Sequence, residues 1–271
     1  MADSVNLSAS LRSNLLTLQQ TSKLIGVSQE RLASGLRVNS PIDDASAFFT
    51  AAAARGRASD LAARKNEIGE AIQTIKSASN GIEAISNLID AAKGVAESAR
   101  SATTAGRSTL AAQFNDLLTQ IDYTATDSKY KGTNFLASGT LTVKTNEDGT
   151  SKVSITGFDA SSTTGLGVSA IAVSTWTVDT AIDAAVSQLN AAQSTLRTNA
   201  ATFGAVSSQL TIRDDFLDEI KNVLTEGADK LTAADQNEEG ANLLSLQTRQ
   251  QLGVISLSLA NQSQQAVLRL F

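Results

Sequence analysis

Two heptad stripes dominate the 271-residue chain and leave few folds open to it. In the first, Leu61, Ile68, Ile75, Ile82, Ile89 and Ala96 recur every seven residues, with Ala71, Ala78, Ile85, Ala92 and Ala99 at the interleaved position. Alternating spacings of three and four keep one narrow face of a helix apolar, the pattern that makes helices wind about each other. At 1.5 Å per residue the stripe is about 50 Å long. The second stripe runs through Ile182, Leu189, Leu196, Phe203, Leu210, Leu217 and Leu224, interleaved with Val178, Ala185, Ala192, Val206 and Ile220. Neither can bury its face alone, so the two are predicted to form the antiparallel arms of a helical rod, over about 61–99 and 178–224. A shorter stripe, Leu110, Phe114, Leu117 and Ile121, follows the turn-like "SATTAGRST" and predicts a third helix over about 108–127 on the same seam.

Between the second and third helices the period drops to two. Leu141 and Val143 face Val153 and Ile155 across Asn146-Glu147-Asp148-Gly149, which predicts a β-hairpin over about 139–158 with Gly149 at positive φ. The Ser-, Thr- and Gly-rich stretch that follows reads as a loop or a weak edge strand.

The two ends of the chain also look like partners. Leu11, Leu18, Ile25 and Leu32 fall seven apart near the start, and Leu252, Ile255, Leu259 and Ala266 form a counterpart near the end. The C-terminal stretch is almost free of charge, and its apolar residues are spread around the helix, so more than one face requires burial. One intramolecular partner covers one face; the excess favours packing against other copies. Between the first helix and the rod lies "QERLASGLRVNSPIDDASAFFTA", which holds the only proline. Gly35 suits the left-handed position that ends a helix, and Ser40, Pro41 and Asp43 read as cap, first residue and N3 acid of the next.

Composition excludes much else. Aromatics are 4% against 42% hydrophobic residues overall, which suits helices packed through small side chains. There is no cysteine and no histidine, which removes disulfides, thiolate nucleophiles, the usual zinc ligands and the ordinary neutral-pH base. A net charge of −5 without a basic run argues against nucleic acid. No apolar stretch reaches spanning length, and the polar start "MADSVNLSASLRSN" predicts neither membrane anchor nor cleavable signal peptide. No nucleophile elbow, phosphate-binding loop or calcium loop occurs. The acidic pairs Asp43-Asp44 and Asp214-Asp215 read as helix-start or solvated acids rather than a catalytic pair, and neither an enzyme nor a cofactor is expected.

Residues 14–51, "NLLTLQQTSKLIGVSQERLASGLRVNSPIDDASAFFTA", and 258–271, "SLANQSQQAVLRLF", resemble the two ends of bacterial flagellin, and 81–136 is similar to its rod domain. The resemblance implies a mainly α fold: a long antiparallel coiled-coil-like rod with a small β-hairpin, plus paired terminal helices, without the large outer domains of longer members. It implies a terminal-helix inner-tube domain (1–40 and 237–271), spoke or linker segments (41–60 and 225–236) and a rod domain (61–224). Leu11, Leu18, Ile25, Leu32, Leu252, Ile255, Leu259 and Phe271 would pack subunits in the inner tube. Gly35, Arg37, Ser40, Pro41, Asp43 and Asp44 would form the spoke, with Arg31 as a further polar contact. Ile68, Ile75, Ile82, Ile89, Leu189, Leu196, Phe203, Leu210 and Leu217 would form the rod core. The implied function is self-assembly into an extracellular filament for motility, with the export apparatus, a flagellin chaperone, the filament cap and hook-filament junction proteins as partners. A junction protein of similar ends is the alternative, and an enzyme or adhesin on the same scaffold a weaker one. Asp90 and Gly94 stand where members recognised by the innate immune receptor carry Arg and Leu, which implies weak or no recognition.

Overall fold

The computed structural model describes residues 9–172, 174 and 176–268. Among them the chain forms α1 (Ala9–Ser34), α2 (Ala45–Ser101), α3 (Thr104–Asp127), β1 (Thr140–Lys144), β2 (Lys152–Thr156), α4 (Asp179–Thr232) and α5 (Gln236–Leu268). These group into two compact units, Met1–Gly56 with Val223–Phe271, and Arg57–Asn222, so the boundaries fall inside α2 and α4.

In the second unit the two heptad stripes face each other. Ile68, Ile75, Ile82, Ile89, Leu189, Leu196, Phe203, Leu210 and Leu217 are all buried. The polar contacts flanking this seam give its direction. Lys65 pairs with Asp218, Lys93 donates to Gln193 Oε1 at 2.7 Å, and Arg100 pairs with Asp183, so partners on α4 fall in number as those on α2 rise. The arms are antiparallel. Buried alanines at 71, 78, 92, 96 and 99 on α2, and at 185 and 192 on α4, leave little side-chain bulk between the arms, which suits close packing.

α3 joins the seam through Ala111, Phe114, Leu118, Ile121 and Ala125. Leu118, rather than the expected Leu117, is the core position, because it continues the three–four spacing of Ala111, Phe114, Ile121 and Ala125, and Leu117 lies half-buried beside it. Thr103 caps it, its hydroxyl accepting from the Gly106 N–H. The hairpin has the expected antiparallel register, with Leu141 opposite Ile155 and Val143 opposite Val153, and Gly149 at φ 67°. Among its described residues the 159–178 segment contributes no strand, yet it buries Ala160, Leu166, Val168 and Trp176. Trp176 lies against Phe114 at 5.2 Å between ring centroids. Two side chains of α3 hold this loop: Asn115 donates to and accepts from the Ile171 backbone, and Asp122 accepts from the Ser162 N–H at 2.7 Å.

Helix boundaries differ from the sequence reading at several points. α2 begins at Ala45 rather than 61, and α4 continues to Thr232 rather than 224, so much of the expected linkers 41–60 and 225–236 is helical. The alanine run 51–54 explains the first extension, since alanine needs no seam to favour helix. Val178, placed on the seam by its spacing, precedes α4 and is exposed.

Candidate functional site

α1 and α5 pack against each other in the first unit, and their seam is built from unequal halves. α1 contributes Leu11, Thr21, Ile25 and Ser28, all buried, with Leu18 half-buried between them and Leu32 half-buried beyond. On α5 the half-buried positions are Leu243, Leu246, Gln250, Gly253, Leu257 and Ala260, again spaced by three and four. Gly253 meets Leu18 so closely that a Cβ there would lie 3.1 Å from Leu18 Cγ. The C-terminal counterpart drawn from sequence is therefore corrected as an intramolecular seam: Leu252, Ile255 and Leu259 face outward, 59%, 63% and 67% exposed. Size does not mark the seam here, because leucines stand on both faces of α5: Leu243, Leu246 and Leu257 are half-buried while Leu244, Leu252 and Leu259 are exposed. Phe271 lies outside the described residues, and so does the side chain of Ala266.

One polar lock fixes the register of this pair. Glu239 is buried, and accepts from Arg31 Nη1 and from Ser28 Oγ, each at 2.8 Å. The Arg31 guanidinium first, and then the Ser28 hydroxyl, hold its carboxyl below the ordinary glutamate value. Sequence reasoning marked Arg31 as a polar contact but missed Glu239, whose only signal is an acid at a seam position.

The 35–44 segment is anchored to the end of α4. Gly35 has φ 72°, and its carbonyl accepts from the Ala234 N–H at 2.9 Å. The Arg37 N–H donates to the Thr232 carbonyl at 2.7 Å, and its guanidinium to the Leu231 carbonyl. Ser40, Pro41 and Asp43 do not begin α2 as expected. They form a turn instead, with Pro41 at its second position, the Asp43 N–H donating back to the Ser40 carbonyl at 3.2 Å. Asp43 Oδ2 accepts from the N–H groups of Asn39 and Ser40 and from the Ser40 hydroxyl, which keeps its carboxyl below the usual aspartate value. The cap of α2 is Asp44, whose Oδ1 accepts from the Ala47 N–H at 2.9 Å. Ile42, at the crest of the turn, is 95% exposed.

What this unit presents is apolar surface. Leu15, Leu16, Leu24 and Val27 on α1, and Leu244, Leu252, Val254, Ile255 and Leu259 on α5, are all exposed. Two packed helices hide one face each, and these residues occupy the others. Among the described residues no helix is long and apolar enough to cross a membrane, and no group of acids could hold a metal ion.

A family model of the bacterial flagellin N-terminal helical region matches residues 5–141, and one of the flagellin C-terminal helical region matches 180–271. The chain belongs to the bacterial flagellin family. It is similar to Flagellin C of Rhizobium meliloti strain 1021, 44% identical over 78 residues, covering 29% of this chain and 24% of the relative. Flagellin A of Rhizobium meliloti is 38% identical over 91 residues, covering 34% of this chain and 23% of the relative. A flagellin of Brucella melitensis is 39% identical over 93 residues, covering 34% and 33%. The matched stretches thus span about a quarter to a third of these relatives. Flagellins are structural proteins; α1, α2, α3, α5 and all of α4 but its first residue lie within the regions that the family models match, whereas most of the hairpin and the 159–178 loop fall between them.

Proposed function

We propose that the chain is a structural subunit that self-assembles through its terminal helices into an extracellular flagellar filament serving motility. The observation that carries this reading is the apolar surface on α1 and α5, with nine large side chains open on two helices that also pack together. Each such side chain gains about 1.5–3 kcal/mol when fully buried, so a second copy is a strong occupant for these faces. Leu11, Leu18, Ile25 and Leu32 hold α1 to α5 in this reading, while Leu252, Ile255 and Leu259 pack against neighbouring copies. Residues 1–40 and 237–271 form an inner layer, 61–224 an outer one, and Gly35, Arg37, Ser40, Pro41, Asp43 and Asp44 the connection.

The family resemblance extends the proposal to export through the flagellar secretion apparatus, a chaperone for the C-terminal segment, a filament cap and hook-filament junction proteins. The test of the central claim is direct. Purified chain added to fragments of its own filament should elongate them, as seen by negative-stain microscopy. Soluble chain that stays monomeric with seeds present would overturn it.

A further inference from the structure

Charge on the α1–α5 pair is segregated by end. Across residues 9–29 and 240–268 the chain carries Arg12, Lys23 and Arg249 and no acidic residue. All three are exposed, and among the described residues none of their side chains has an ion pair or hydrogen bond. At the opposite end of the same pair stand Glu30 and Glu238, both exposed and, among the described residues, without a cationic partner, since Arg31 is taken by Glu239. Glu30 has only a long 3.4 Å contact from the Asn39 amide.

The helix macrodipole accounts for only part of this placement. It favours acids near a helix start and cations near its end, so Glu238 in the first turn of α5 and Arg31 in the last turn of α1 suit their helices, whereas Arg12 close after the first residue of α1 and Glu30 near its end do not. Lys23 and Arg249 lie well inside their helices, so their charges remain available to a group outside the pair. From Lys23 to Glu30 along α1, and from Arg249 to Glu238 along antiparallel α5, the direction is the same. The separations are seven and eleven residues, about 10 and 16 Å of helix axis.

We propose that the cationic end of one α1–α5 pair docks against the acidic end, Glu30 and Glu238, of the pair in a second copy, displaced along the helix axis by about 10–16 Å. The proposal rests on the filament reading and deepens it by assigning the axial register between copies. Apolar contacts on the same helices supply attraction without direction, because Leu24, Leu244 and Leu252 accept many offsets. Opposite charges at a fixed spacing reject the unshifted arrangement, in which like charges meet, and select one stagger. Surrounding apolar side chains exclude water and strengthen the pairing over that of a solvated surface contact.

The test uses three full-length variants with seeded elongation as readout: Lys23→Glu with Arg249→Glu, Glu30→Lys with Glu238→Lys, and all four changes in one chain. Each two-site variant should raise the critical concentration at least about tenfold, and the four-site chain should return to within about threefold of the unaltered one when seeded with its own filaments. Recovery in the four-site chain also establishes that the substitutions permit folding. Two-site variants that elongate normally would overturn the charge register while leaving filament formation intact. Failure of the four-site chain to recover would overturn it too, by showing that the cations act through something other than these acids. An unaltered chain that does not elongate at all overturns the filament reading and this proposal with it.

Discussion

Gly81 marks a place where a single missing methyl decides packing. It lies inside α2, where glycine costs about 1 kcal/mol relative to alanine. A Cβ there would come 2.2 Å from Ser128 Oγ and 2.6 Å from Leu136 Cδ1, so the 128–136 turn approaches α2 only because the side chain is absent. Gly81→Ala is expected to destabilise the chain by about 1–3 kcal/mol through overpacking, despite the better helix propensity. Gly94→Ala, where nothing lies within 4 Å, should stabilise slightly. Urea unfolding of both variants separates the two effects. Glu239 gives a second residue-scale expectation. Its folded-state value lies below the ordinary one because Arg31 and Ser28 donate to the carboxylate. The lock therefore contributes fully above the ordinary glutamate range and is lost as pH falls through the lowered folded value. Glu239→Gln should cost about 1 kcal/mol at neutral pH, discounted for the partial exposure of Arg31, and the gap to the unaltered chain should close in acid. Thermal melts followed by circular dichroism across that range check the sign.

At the scale of the element, the paired stripes of α2 and α4 invite one blunt perturbation. Ile82→Asp or Leu196→Asp places a carboxylate between arms whose seam residues are almost wholly buried, at a cost of several kcal/mol. Helicity of the soluble chain should fall; unchanged circular dichroism and melting for either variant would remove the seam. These arms were legible in the sequence because their period is long, regular and carried by large side chains. The end of α1 was legible too, in Gly35. What followed was not: "SPIDD" fits two capping patterns, and only the hydrogen bonds of Asp43 to Asn39 and Ser40 decide that the helix waits for Asp44. α5 was misread for a related reason. Its seam interleaves Leu243, Leu246 and Leu257 with Gln250, Gly253 and Ala260, which weakens the hydropathy pattern there, while Leu252 and Leu259 advertise a face that α1 leaves open. The 159–178 loop has no period at all; its order comes from Asn115 and Asp122 reaching across from α3.

Considered whole, the molecule divides its work between a unit with a filled seam and a unit with a thin one. Deleting residues 252–271 should leave the first intact, because Arg57–Asn222 is a compact unit with its own buried seam. The truncated chain should remain helical and fail to elongate seeds, since Leu252, Ile255 and Leu259 go with it. Normal elongation by that chain would remove the assembly role of the C-terminus. The expectation that the family resemblance attaches to Asp90 and Gly94 belongs to this scale as well: Asp90 accepts from Gln193 at 3.0 Å, and purified monomer should signal weakly through the innate receptor, measured against a recognised flagellin. The half-filled seam of α1 and α5, with glycine, glutamine and alanine where a stable coil would place leucine, has a calorimetric consequence. Heated as a monomer, the chain should show two endotherms, a broad early one for this pair and a sharp later one for the rod. Only the early one should move upward once copies have joined.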